Sequence, residues 1–270
     1  MKQRTLAVIG VGNMARAVIM GLLQTDLPVS KIVLYDKNTT QYESLPNSPL
    51  FCFADSASEA ISNAECVLLA VKPQNYDEVL AELSENNGSR DKLYISIAAG
   101  ITAQSVSSKL NGARVIRVLP NVPMLIGMGV SLICRNDCVP ASDLEFVCEI
   151  FRSAGTVQLI DESDMNRMIG VTSSSPAYVF RFIHAIYQGA LKQGLSDEDL
   201  LTVICDMVIG SAQMLKESAE SPEVLISRVA SKGGTTERAL ATLSEFHFDE
   251  AIIDAMAACT ARADELGKNK

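Results

Sequence analysis

Apolar residues in the first part of the chain come in short, β-branched runs at 6–10, 31–36, 65–71, 93–98, 114–119, 130–134 and 156–160. Between several of these runs, as at 14–24 and 142–153, apolar positions recur at helical spacing, so strands and amphipathic helices alternate. Strands joined through helices run parallel, and the joining helices cover both faces of the sheet. The expectation is therefore an α/β unit with a mostly parallel sheet. Loop signals at Asn47-Ser48-Pro49 and Asn86-Asn87-Gly88-Ser89 punctuate it.

After Asp161 the strand pattern stops, and long helical patterns follow at 165–170, 176–193, 197–216, 222–229, 236–245 and 249–266. This predicts a domain at 1–162 and an all-helical one at 163–270. Ser175 before Pro176 reads as a helix cap with proline in the first turn, and Ser196 reads as the start of a helix whose first turn holds Asp197, Glu198 and Asp199. Small and apolar residues including Ala177, Tyr178, Phe182, Ile186 and Ala190 line the helix that follows Pro176. They read as packing positions. A bundle of about 100 residues cannot bury both faces of its central helices by itself, so a homodimer through the helical domain is expected, with assembly into a larger ring left open.

Composition narrows the chemistry. Apolar residues at 48% and charged residues at 20% are ordinary for a globular chain. The net charge of −9, with no run of Lys and Arg, argues against nucleic acid and leaves any anionic ligand to backbone amides and a few placed cations. The 7 cysteines include no Cys-x-x-Cys pair, and the 2 histidines, His184 and His247, give little material for a metal cluster or a histidine-centred triad. The apolar run at the amino terminus is cut by Gly10, Gly12, Asn13 and Arg16, which is unlike a signal peptide, and no run suggests a membrane helix. A cytoplasmic protein without membrane partners is the expectation.

The first strand leads directly into Gly10-Val11-Gly12-Asn13-Met14-Ala15 and then a helix. Strand, glycine turn and helix start together form a dinucleotide phosphate loop of the Rossmann type. Gly10 permits the turn, Gly12 lets the backbone approach phosphate, and Ala15 allows close helix–strand packing. The amides around Asn13 and Met14 open the helix toward the anion. Asp36, at the end of the second strand, suits the ribose hydroxyls of NADH and repels a 2′-phosphate, whereas Lys37 and Asn38 beside it could hold that phosphate. The cofactor is thus NADH or NADPH, with Asp36 favouring NADH. A turn-capping role for Asp36 is the plainer alternative.

Ser231-Lys232-Gly233-Gly234-Thr235-Thr236 is a second glycine-rich loop feeding a helix. Its amides could hold a carboxylate, or it could be a flexible turn capped by Thr235 or Thr236. Several further segments, in order along nearly the whole chain, resemble the pyrroline-5-carboxylate reductase family. They are Ala70-Val71-Lys72-Pro73-Gln74, Ser96-Ile97-Ala98-Ala99-Gly100-Ile101, Arg117-Val118-Leu119-Pro120-Asn121-Val122-Pro123, Ser175-Pro176-Ala177-Tyr178-Val179-Phe180 and Gly233-Gly234-Thr235-Thr236.

The resemblance implies reduction of the cyclic imine 1-pyrroline-5-carboxylate to L-proline by NAD(P)H, the last step of proline biosynthesis. It also implies a Rossmann domain followed by a helical dimerisation domain, with substrate near the subunit interface. Carried over, Ala70, Val71, Lys72 and Pro73 with Ile97, Ala98 and Ala99 line the nicotinamide and its ribose. Ser231, Gly233, Gly234, Thr235 and Thr236 hold the substrate, and the Thr236 hydroxyl makes the catalytic contact to the ring nitrogen. Asn121, in a rigid loop between prolines, reads either as a contact to the nicotinamide end or as a turn asparagine. The chain departs from the family pattern at Lys232, at Arg228 and in the glycine-free link 171–175.

Two competing readings remain. A dehydrogenase of the β-hydroxyacid type shares this plan but resembles enzymes with a catalytic lysine on the long central helix. Here 175–183 has none, and Lys192 lies near the far end. The other is a non-catalytic dinucleotide-binding regulatory paralogue: Thr235 and Thr236 favour the enzyme over it, while the altered link at 171–175 keeps it open.

Overall fold

In the computed structural model, which describes residues 3–25, 29–85 and 89–268, the expected strands assemble into one eight-stranded sheet. The loop signal at 86–88 lies outside the described residues. Along the chain the elements are β1 (Arg4–Ile9), α1 (Asn13–Leu23), β2 (Val29–Tyr35), β3 (Phe51–Phe53), α2 (Ala57–Ser62), β4 (Cys66–Leu69), α3 (Tyr76–Ser84), β5 (Leu93–Ser96) and α4 (Ala103–Lys109). There follow β6 (Arg114–Leu119), β7 (Gly129–Arg135), α5 (Ala141–Arg152), β8 (Gly155–Leu159) and α6 (Glu162–Met168). The strand order is β3-β2-β1-β4-β5-β6-β7-β8, and only the β6–β7 pair is antiparallel. A short 3-10 turn at Val122–Ile126 joins that pair, with no crossover helix to carry the chain back for a parallel partner.

Strand periodicity sorts the side chains between two cores. From β1, Leu6 and Val8 enter the core under α1 and α5, while Ala7 and Ile9 enter the core under α2, α3 and α4. Helical spacing on α1 supplies Ala15, Val18, Ile19 and Leu22 to the first core, and α3 supplies Tyr76, Val79, Leu80 and Leu83 to the second. Both faces are thereby filled, which leaves the strand ends as the place for a ligand.

Later in the chain come a π turn (Ile169–Ser173), α7 (Ser175–Lys192), α8 (Leu200–Glu217), α9 (Pro222–Val229), α10 (Thr235–Glu245) and α11 (Phe248–Lys268). By contacts the chain divides into a unit of Met1–Ser174 with Ala257–Lys270 and a helical unit of Ser175–Met256. The structure corrects both predicted helix starts. Ser175 is the first residue of α7, not a cap, because the π turn delivers the chain already wound. The helix expected from Asp197 begins at Leu200: Asp199 caps it in a left-handed conformation at φ 58°, and the Asp197 carboxylate accepts the Tyr187 hydroxyl. No helix among the described residues is long and apolar enough to cross a membrane.

Candidate active site

The carboxyl ends of β1, β2 and β4 border a cavity of about 290 Å³ lined in part by Gly10, Gly12, Asp36, Lys37, Val71 and Lys72. Gly10 sits at φ 92°, and a Cβ there would stand 2.9 Å from the backbone of Ala70 and Val71. Only glycine lets the β1 turn pack on the loop that leaves β4. Gly12 caps α1, and a Cβ built on it would meet nothing within 4 Å, so the backbone is open to an approaching phosphate. Behind it, Ala15 is buried in the core. Asn13 and Met14 open the helix, and Asn13 Oδ1 accepts from Arg16.

Asp36 is held rigidly just past the end of β2. Its Oδ2 accepts from the Val11 amide at 2.7 Å and its Oδ1 from the Asn38 amide at 2.8 Å, while its own N–H donates to the Tyr42 hydroxyl at 2.8 Å. Each carboxylate oxygen keeps a lone pair for a further donor. Turn capping and ligand binding are therefore compatible in one side chain.

Ala70 and Val71 follow β4, where the Ala70 amide donates to Ile9 O at 2.9 Å. Lys72 and Pro73 turn the chain into a short 3-10 segment, Pro73–Asn75, ahead of α3. Ile97, Ala98 and Ala99 leave β5 along the same edge, with the Ile97 amide on Leu69 O at 3.2 Å. Tyr76 braces this edge from beneath: its buried hydroxyl donates to Leu69 O and pairs with the Ser96 hydroxyl, both at 3.0 Å. Burial pushes the phenol's pKa up, so it stays neutral. Asn121 follows β6 and is buried; its amide donates to Thr172 O at 3.1 Å and its Oδ1 accepts from the Val130 amide at 2.8 Å. These bonds stitch the β6 loop to the π turn, as does the Ser173 hydroxyl on Pro120 O at 2.9 Å. Of the cofactor residues read from the sequence, Gly10, Gly12, Asp36, Ala70, Val71 and Lys72 line the cavity; Asn13, Met14, Ala15, Pro73, Ile97, Ala98, Ala99 and Asn121 do not. Tyr35, Gln41, Asn75 and Val79 also line it, and no motif singles them out.

In the helical unit, Gly234 rather than a threonine caps α10. Gly233 takes a left-handed φ of 74°, and the Gly234 amide closes a turn on Ser231 O at 2.9 Å. A Cβ on Gly234 would stand 2.6 Å from the Ser231 hydroxyl oxygen, so Ser231 packs where only glycine fits. Thr235 and Thr236 begin the helix, and no side chain caps its first amides. Glu237 turns back and accepts from the Gly233 amide at 2.6 Å. The charge of Arg228 is met by Glu220, whose carboxylate lies 2.5 and 2.6 Å from the guanidinium nitrogens.

A family model described as pyrroline-5-carboxylate reductase dimerisation matches residues 162–266, and one described as NADP oxidoreductase coenzyme F420-dependent matches residues 5–100. The pyrroline-5-carboxylate reductase of Haemophilus influenzae is 34% identical, with 98% of each chain covered, and that of Escherichia coli is 34% identical over 99% of this chain and all of its own. The chain belongs to the pyrroline-5-carboxylate reductase family. Solved members of the pyrroline-5-carboxylate reductase fold agree. The Plasmodium falciparum enzyme, crystallised with NADP bound, superposes with a TM-score of 0.89 at 26% identity over 99% of both chains. The Streptococcus pyogenes enzyme gives 0.89 at 27% identity over 97% of this chain and 99% of that one.

Proposed function

We propose that this chain reduces 1-pyrroline-5-carboxylate to L-proline with NADH or NADPH, the last step of proline biosynthesis. The supporting observation is the glycine-built cavity with its rigid Asp36 in a chain that pyrroline-5-carboxylate reductases match nearly end to end. Residues 1–162 serve as the dinucleotide-binding domain. The dinucleotide supplies a hydride. Gly10, Gly12, Asn13, Met14 and Ala15 present the opening of α1 to its pyrophosphate, and Asp36 accepts from the ribose hydroxyls, which favours NADH. Ala70, Val71, Lys72, Pro73, Ile97, Ala98, Ala99 and Asn121 form the remaining cofactor edge.

Residues 163–270 serve as the substrate and dimerisation domain. Ser231 and Gly233 shape the loop, the first amides of α10 at Gly234, Thr235 and Thr236 hold the substrate carboxylate, and the Thr236 hydroxyl orients the ring nitrogen. A threonine is a weak acid, so its role is positioning; a protonated imine already carries the charge that eases hydride attack. The protein works as a homo-oligomer on a small cyclic imine acid in the cytoplasm, with dimers joined through the helical domain and assembled into a larger ring. The purified protein should consume NADH or NADPH when pyrroline-5-carboxylate is added. No turnover with either nucleotide would overturn the proposal.

A further inference from the structure

The rim of the cofactor cavity holds an ion pair that the phosphate-loop motif does not include. Lys37, the residue after Asp36, reaches across to α3, where its Nζ lies 2.6 Å from Glu78 Oε1. The hydrogen bond to Glu78 raises the Lys37 pKa, with Tyr35 and Glu82 adding weaker Coulombic support. Glu78 stands between Asn75 and Val79, which both line the cavity. At the rim, then, the Asp36 carboxylate is held by the Val11 and Asn38 amides, while the neighbouring Lys37 pairs with a second carboxylate, that of Glu78.

The two nicotinamide dinucleotides differ only at the 2′ position of the adenosine ribose. A 2′-phosphate carries about −1.5 to −2 charges and needs a cation with free donors close to the end of β2. Lys37 is placed to be that cation, but its ammonium is neutralised by Glu78. We infer that Glu78 is a cofactor-specificity residue: by pairing with Lys37 it withdraws the cation that would receive a 2′-phosphate, and so tilts this site toward NADH. Both partners are more than half exposed, so the effect is modest and screened by salt. The inference rests on the reading of this cavity as the dinucleotide site.

The test is titration of NADH and NADPH into the full-length protein and its variants, read by nicotinamide fluorescence, which the absence of tryptophan leaves free of energy transfer from that residue. Glu78→Gln should raise the NADPH-to-NADH affinity ratio about fivefold, and Glu78→Lys should raise it further. Adding Lys37→Met to Glu78→Gln should abolish the gain, and the gain should shrink as ionic strength rises. A ratio that stays put in both Glu78 variants, or a gain that survives loss of Lys37, overturns the role of Glu78. Failure of either dinucleotide to bind the unaltered protein would instead overturn the cavity reading, and the specificity proposal with it.

Discussion

Thr236 brings one hydroxyl to the first turn of α10, beside amides that no side chain caps. If it positions the imine nitrogen, Thr236→Ala should lower kcat/KM for pyrroline-5-carboxylate at least tenfold while NADH affinity stays within about twofold, and Thr236→Ser should recover much of the loss. An equal loss in both parameters would place Thr236 elsewhere. Gly10 poses a different test, because its φ of 92° and the 2.9 Å approach to Ala70 leave no room for a methyl group. Gly10→Ala should weaken dinucleotide binding by at least tenfold in calorimetric titration, since the loop must move off β4. The thiols give a third residue-scale expectation. Burial pushes Cys66 up to about 11 and Cys134 up to about 12, so both stay protonated through neutral pH, and exposed Cys138 should be modified first by a thiol reagent.

At the scale of elements, α5 ties together the amino-terminal ends of β1 and β6, opposite the cavity at the carboxyl ends of β1, β2 and β4. Its buried Asp143 receives Arg4 from the start of β1 at 2.8 Å and also Arg114 from the start of β6, and Arg4 stacks 4.4 Å from the Phe146 ring centre. Asp143→Ala should cost about 3 kcal/mol in urea unfolding, because it strands two guanidinium groups that the fold has already desolvated in part. NADH affinity below the transition should change little, the cavity being at the other strand ends. Elements of this kind were legible in the sequence wherever a period was long enough to see. The glycine turn between β1 and α1 was legible because its glycines sit between an apolar strand and an amphipathic helix. β3 was not: it is only Phe51–Phe53, an edge strand paired to β2 alone, and no alternation can show in so short a run. The start of α8 was misread because Asp197 is taken by Tyr187, a contact across a turn that composition cannot reveal. Glu78 was invisible for the same reason. On its own helix it is one acidic residue on a solvated face, and it acquires meaning only when the chain end of β2 brings Lys37 to it.

For the molecule as a whole, the decisive fact is how little the helical unit buries. Among the described residues of 175–256, Ile204 is the only hydrophobic side chain counted as buried, while α8 alone leaves Val203 62%, Ile209 62% and Met214 54% exposed. Val203, Met207, Gly210 and Met214 recur at helical spacing and form an apolar stripe along α8. A contiguous exposed apolar stripe of this kind marks an interaction surface, and we expect the homo-oligomer to cover it. A buried charge without a partner is costly, and Met207→Glu would place one in the stripe. That variant should sediment as a monomer of 29.0 kDa, unfold at a lower temperature, and lose pyrroline-5-carboxylate reduction. With the dinucleotide in the cavity at the ends of β1, β2 and β4, as proposed, its affinity for NADH should fall far less than its turnover. A Met207→Glu protein that kept its full oligomer would show that this face of α8 is not the one the partner covers, and the search for the interface would move to Phe180 and Phe182 on α7.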